Sequence, residues 1–238
     1  MKSLERIVIL TDLGLAGSYI INEIMKKKGK VFAVIVDRNV TTGKSFFYKL
    51  PRFLWRKYTS LRGNNEDKER RRFGIEIENW TIPIYFISNM NKRSELLDAL
   101  KPDLLIVIGG RKLSKKVIST AKKGTINFHG GILPNYRGLD STYHAMKNKD
   151  YDNIGATIHF MSENIDSGDI IMQKRISPIM NRVKESDFKI IKECSHLIVD
   201  SIEQIENGNV KRIEQDSRES NYYRKMGMVE RICFLLSG

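Results

Sequence analysis

Two side chains able to handle charge stand two residues apart, Asn127 and His129, in Thr-Ile-Asn-Phe-His-Gly-Gly. At the end of an extended strand, positions i and i+2 face the same way, so both groups would point into one space. An asparagine amide is a neutral donor for a developing oxyanion. An imidazole exchanges protons near neutral pH. A carboxylate brought back by a later loop, such as Asp166, would orient the ring and favour its charged form. The same residues also suit a buried polar turn around a satisfied histidine, and their spacing leaves both readings open.

Other constellations are weaker. Gly43-Lys44-Ser45 resembles the end of a phosphate-binding loop, but the glycine required five residues earlier is Arg38, so it reads as a chance match. Gly14-Leu15-Ala16-Gly17-Ser18 lacks dinucleotide-binding spacing. It reads either as an anion-holding helix start or as a plain turn with a cap. His144, His159 and His196 have no partner set at metal-ligand spacing, even with Cys194 two residues before His196. No metal site is expected, and His159, inside a strand, reads as structural.

The strand that carries Asn127 and His129 belongs to an alternation of apolar runs and helical periods, the pattern of a parallel sheet. Strands are expected at Arg6–Leu10, Val31–Val36, Ile82–Ile87, Leu104–Ile108 and Gly124–Phe128. Helices are expected at Ser18–Lys28, Lys92–Leu100 and Lys115–Ala121. Beyond Asp140 the pattern becomes a helix at Ser141–Lys147 and two strands, Ile154–Met161 and Asp169–Ile176, read as an antiparallel pair. A polar loop from Ser162 to Gly168 joins them. One long helix is expected over Glu185–Glu206, and no strong period follows until Val229–Leu236.

With 41 Lys+Arg against 28 Asp+Glu in 238 residues, the chain carries a formal charge of +13. Its 41% hydrophobic and 29% charged residues describe a globular chain, not a disordered one. Two cysteines, Cys194 and Cys233, exclude a disulfide scaffold. No apolar run is long enough to cross a membrane, and no leader is evident, so the expected compartment is cytoplasmic. Lys44–Arg72 alone holds ten Lys/Arg and three Asp/Glu, interleaved with six aromatic residues. That segment suits a solvated face or an oligomer contact better than a nucleic-acid surface, so nucleic-acid binding is the rival class.

The stretch Asn-Phe-His-Gly-Gly-Ile-Leu-Pro-Asn-Tyr-Arg-Gly (127–138), followed by Gly-Ala-Thr-Ile-His-Phe-Met-Ser-Glu-Asn-Ile-Asp-Ser-Gly-Asp-Ile-Ile (155–171), resembles the formyltransferases that use N10-formyltetrahydrofolate. That family includes glycinamide ribonucleotide, methionyl-tRNA and sugar N-formyltransferases. The resemblance rests on Asn127, His129, the Leu133-Pro134 and Tyr136-Arg137-Gly138 run, Asp166 and Gly168. It covers about Leu104 to Gln173, including Ile108–Leu113, which resembles the family's folate-binding turn.

The resemblance implies an α/β, Rossmann-like formyltransferase fold with a mostly parallel mixed sheet over residues 1–178, and a C-terminal helix and tail over 179–238. It implies Asn127, protonated His129 and Asp166 as the catalytic trio: two donors for the oxyanion and a carboxylate that holds His129. Gly110, Arg111, Lys112, Leu113, Ser162 and Ile165 would bind the folate, and Gly131, Tyr136 and Arg137 the acceptor. The first turn lacks the glycinamide enzymes' Gly-Ser-Asn, and the chain ends before a barrel of the methionyl-tRNA type. By elimination the expected acceptor is a nucleotide-linked amino sugar. A homodimer is compatible with the sequence.

Overall fold

The computed structural model describes residues 4–28, 31–37, 80–216, 218 and 220–236. Both the Lys44–Arg72 segment and Gly43-Lys44-Ser45 lie outside them. The chain forms two compact units, Met1–Ile126 and Asn127–Gly238, so the segment from residue 179 onward belongs to the second.

In the first unit, β1 (Ile7–Thr11) and β4 (Leu104–Ile108) are buried at every position. β2 (Val31–Asp37) is buried at all but Phe32, and β3 is Ile84–Ile87. Unbroken apolar runs such as Ile-Val-Ile-Leu suit strands covered on both faces, the rule in parallel sheets. The strand order is β3-β2-β1-β4, and each described pairing among them is parallel. β3 starts two residues later than its apolar run because Pro83 has no N–H for a ladder, although its carbonyl accepts from Val34 N at 3.0 Å.

α1 (Leu15–Lys28) begins three residues before the expected start and buries Ile20, Ile21 and Ile24. The Gly14 N–H that precedes it donates to Asp12 Oδ1 at 2.9 Å. One backbone donor at the start of this turn is therefore satisfied from within the chain. The expected Lys92–Leu100 helix is a 3-10 turn (Met90–Lys92) followed by α2 (Glu95–Leu100), with Leu96, Leu97 and Leu100 buried. α3 is only Lys115–Ile118.

β5 (Thr125–His129) straddles the boundary of the two units. The second unit continues with β6 (Arg137–Gly138) and α4 (Ser141–Lys147), then β7 (Gly155–Phe160) and β8 (Ile170–Arg175). β7 and β8 are antiparallel, as expected. The single long helix is instead two, α5 (Val183–Cys194) and α6 (His196–Asn207), parted at Ser195. Ser195 Oγ donates to Lys192 O at 3.4 Å, the back-bonding by which serine bends a helix. β9 (Tyr222–Tyr223) pairs with β6, and α7 (Met228–Leu236) follows. Parallel pairing in the first unit and the antiparallel β7–β8 pair in the second give the mixed, mostly parallel α/β class expected.

Candidate active site

The second unit gathers Asn127, His129, His159 and Asp166. β5 ends at His129, so the alternation of the strand sends Asn127 and His129 to one side. Asp166 comes from the loop that closes the β7–β8 hairpin. Asp166 sits in left-handed backbone, φ 49°, which Asp tolerates better than most residues. Gly168 allows the loop to close, since a Cβ there would lie 2.0 Å from Phe160 O. That contact explains in physical terms why a glycine follows the carboxylate at this spacing.

His129 is almost fully buried. Its Nε2 lies 2.7 Å from Tyr136 O. A carbonyl only accepts, so Nε2 carries the proton and Nδ1 of the neutral ring is the base. Nδ1 faces Asp166 Oδ2 at 3.5 Å. Burial lowers the His129 pKa below its ordinary value, against the opposing pull of Asp166 and the Tyr136 carbonyl. The ring expected to be charged by a carboxylate therefore rests neutral, because desolvation outweighs that carboxylate.

His159 has the opposite tautomer. Its Nδ1 donates to Phe160 O at 2.8 Å, which leaves Nε2 to accept from Asn127 Nδ2 at 3.1 Å. The second Asn127 N–H points toward Asp166 Oδ1 at 3.5 Å, while His159 Nε2 lies 3.5 Å from that same oxygen. The Gly138 N–H donates to Asp166 Oδ2 at 2.9 Å. Burial pushes the Asp166 pKa up, but His129, His159 and the Gly138 amide outweigh it and bring it down to about 2. Asp166 is thus an anion at neutral pH beside a neutral base, and an asparagine donor is held at the edge of its reach.

The expected acceptor residues take supporting places. Tyr136 is buried, donates its hydroxyl to Asp150 Oδ2 at 2.8 Å and stacks on Tyr223. Its contribution to the cluster is the backbone carbonyl that fixes His129. Gly131 lies so close to His129 that a Cβ would meet its Nε2 at 2.8 Å and Ser141 Oγ at 2.7 Å. Arg137 donates through Nε and a terminal nitrogen to Gln215 Oε1, at 3.1 and 2.8 Å. Thr157 Oγ1 donates to Gly131 O at 2.7 Å, and Gln173 Nε2 to Leu133 O at 2.7 Å, so β7 and β8 pin the Gly131–Leu133 turn.

Of the expected folate residues, Ser162 Oγ lies 2.6 Å from Ser167 Oγ, bracing the Asp166 loop, and Ile165 is half-buried on that loop. In the first unit, Arg111 makes a two-pronged ion pair with Asp37, both contacts at 3.0 Å, and also donates to Ser88 O. Asn91 donates to Lys112 O at 3.0 Å and accepts from Ser114 N at 2.8 Å. With Arg111 turned to Asp37 and Leu113 buried, this turn presents the backbone of exposed Gly110 and the exposed Lys112. Among the described residues no group of three or more His, Cys, Asp or Glu is placed to hold a metal. No described helix is long and apolar enough to cross a membrane.

Sequence reasoning took His159 as structural and passed over Gln215. The available signal for His159 was an imidazole inside a run otherwise suited to full burial, because such a ring needs partners. Gln215 gave none, lying in a segment without periodicity.

A sequence profile of the family described as formyl transferase matches residues 78–198, just over half of the chain. The chain belongs to the formyl transferase family. The match reaches beyond Leu104–Gln173 at both ends and includes every member of the Asn127–His129–His159–Asp166 cluster. Among curated relatives, methionyl-tRNA formyltransferase of Methylacidiphilum infernorum (isolate V4) is 34% identical over 149 residues, 61% of this chain and 46% of that protein. The chain spans about half the length of the curated relatives it matches. Among solved structures, a 4-N formyltransferase from Francisella tularensis has the same fold, with a TM-score of 0.64 at 21% identity, covering 99% of this chain and 88% of that one. WlaRD, a sugar 3N-formyl transferase solved in the presence of dTDP and 5-N-formyl-THF, gives 0.58 at 17% identity, covering 94% and 71%.

Proposed function

We propose that this formyl transferase moves a formyl group from N10-formyltetrahydrofolate to a primary amine, in the cytoplasm, and that the amine belongs to a nucleotide-linked amino sugar. The observation that carries the reaction type is the pair of opposed tautomers, with His129 Nδ1 free of its proton beside ionised Asp166 and Asn127 donating from the other side. The acceptor class is supported by WlaRD, the sugar 3N-formyl transferase of this fold solved in the presence of dTDP.

In this reading His129 Nδ1 takes the proton of the attacking amine as its nitrogen bonds the formyl carbon. Asp166 stabilises the imidazolium so formed. Asn127 keeps one N–H on His159 and turns the other, held only loosely at 3.5 Å by Asp166, to the oxyanion. His129 then returns the proton to N10 as the bond between N10 and the formyl carbon breaks. The set fits the co-substrate: one neutral amide donor for one developing oxyanion, and one base for one proton. Ser162 and Ile165 are the proposed folate contacts in the second unit, and the Gly110–Leu113 backbone in the first.

A second acceptor, methionyl-tRNA, is favoured by the curated relatives. Thermal shift with 5-formyltetrahydrofolate tests the folate half directly, since a ligand bound only by the folded state raises its stability by mass action. A concentration-dependent rise in Tm is expected, and no rise in folded protein would overturn this half.

A further inference from the structure

Asp166 is held from behind by a residue outside the 78–198 family match. Gln215 Nε2 donates to Asp166 O at 3.0 Å and to Gly168 O at 2.6 Å, grasping the loop on both sides of Ser167. Its Oε1 accepts both prongs of Arg137, whose neighbour Gly138 donates its N–H to Asp166 Oδ2 at 2.9 Å. One primary amide therefore closes a ring: Gln215 to the Asp166 backbone, Asp166 carboxylate to Gly138, Arg137 back to Gln215. A glutamine fits this place because it both donates and accepts; a carboxylate could not donate to two carbonyls, and an ammonium could not accept from Arg137.

The segment that carries Gln215 is itself tied at both ends. Ile213 exchanges two backbone hydrogen bonds with Ile170 at the start of β8, at 2.8 and 2.9 Å. Tyr222–Tyr223 pairs with Arg137–Gly138, the same residues that lead to the clamp. The amide thus reaches the loop from a backbone fixed two residues before it.

We infer that Gln215 is a positioning residue that aims the Asp166 carboxylate at His129, so that the segment after α6 completes the catalytic apparatus of the β5 and β7–β8 region. The inference rests on the formyl-transfer reading for its kinetic half, but its geometric half stands without any substrate. Among the described residues the ionisable groups facing Asp166 are His129 from β5, His159 from β7 and Arg137 from β6. Releasing the loop lets the carboxylate leave His129, which removes a charge that favours the imidazolium.

The test is Gln215→Met, which keeps length and neutrality but neither donates an N–H nor accepts as an amide does, with folding checked by near-ultraviolet circular dichroism. If this variant does not fold, Gln215→Asn, one methylene shorter, is measured the same way. The His129 titration, followed by imidazole NMR without substrate, should move to lower pH. The kcat should fall about ten- to a hundredfold with both KM values nearly unchanged, as for displaced catalytic groups. A merely structural role would lower folded protein without moving the titration. An unmoved titration, or a moved titration with wild-type kcat, would overturn the inference. Absence of formyl transfer by the wild-type protein would count against the proposed function alone, because the titration is read independently.

Discussion

His129, Asn127 and Asp166 act in this account on one proton and one oxyanion, so their removal should be strongly non-additive. Each single alanine variant should lose about a hundredfold or more in kcat, while the triple variant loses little beyond the worst single one. Turnover near wild type in His129→Ala would remove the base. The resting charges also set the pH response. Because burial lowers the His129 pKa, kcat/KM should stay level through neutral pH and fall only below the ordinary imidazole value of about 6.5. Asp166→Asn should push that fall lower still, since Asp166 is what favours the cation. Stability has the same sign: the unfolded chain protonates His129 first, so this contribution is full above the ordinary imidazole value and is lost as pH falls through the folded one. Asp166, brought from 3.8 to about 2, adds a second loss in that lower window. Urea midpoints measured between neutral and acid pH would reveal both, and stability rising on acidification would contradict them.

The strand β5 and the β7–β8 hairpin place these groups, and two adjacent glycines separate packing from mere flexibility. A Cβ at Gly130 meets nothing within 4 Å, whereas one at Gly131 meets Ser141 Oγ at 2.7 Å and His129 Nε2 at 2.8 Å. Gly130→Ala should keep wild-type stability, while Gly131→Ala should lose about 1–3 kcal/mol and displace the His129 ring; equal melting temperatures would refute the close approach. Such elements were unevenly visible in the sequence. β4 lies where its apolar run put it, because Leu-Leu-Ile-Val-Ile is of strand length and is ended by Gly109-Gly110. Asn127, His129 and Asp166 were legible through spacing and family resemblance. Ser195 was not legible as a break, since back-bonding of a serine depends on packing that no period records. His159 hid in a strand pattern that rewards apolar residues. Gln215 was invisible because its amide donates to backbone carbonyls about 50 positions earlier, which any residue type presents, and accepts from an arginine farther back still.

The whole chain carries +13, which suits a polyanion, yet the proposed reaction joins one amine to one formyl carbon. Salt separates the two acceptors. Recognition of tRNA through many phosphates makes affinity fall steeply with ionic strength, in proportion to the contacts made. A nucleotide sugar offers a single diphosphate, so its KM should depend only shallowly on salt. Arg70, Arg71 and Arg72 changed together to Ser should leave sugar formylation largely intact; a steep salt slope with methionyl-tRNA as acceptor would move the substrate to the second reading. The central claim is formyl transfer itself. Mass spectrometry of a mixture of the protein, N10-formyltetrahydrofolate and a panel of nucleotide-linked amino sugars should show one acceptor gaining a formyl group as tetrahydrofolate appears. The His129→Ala protein should form about a hundredfold less. Failure of every amine acceptor, tRNA included, to gain a formyl group, or equal product from His129→Ala, would contradict it.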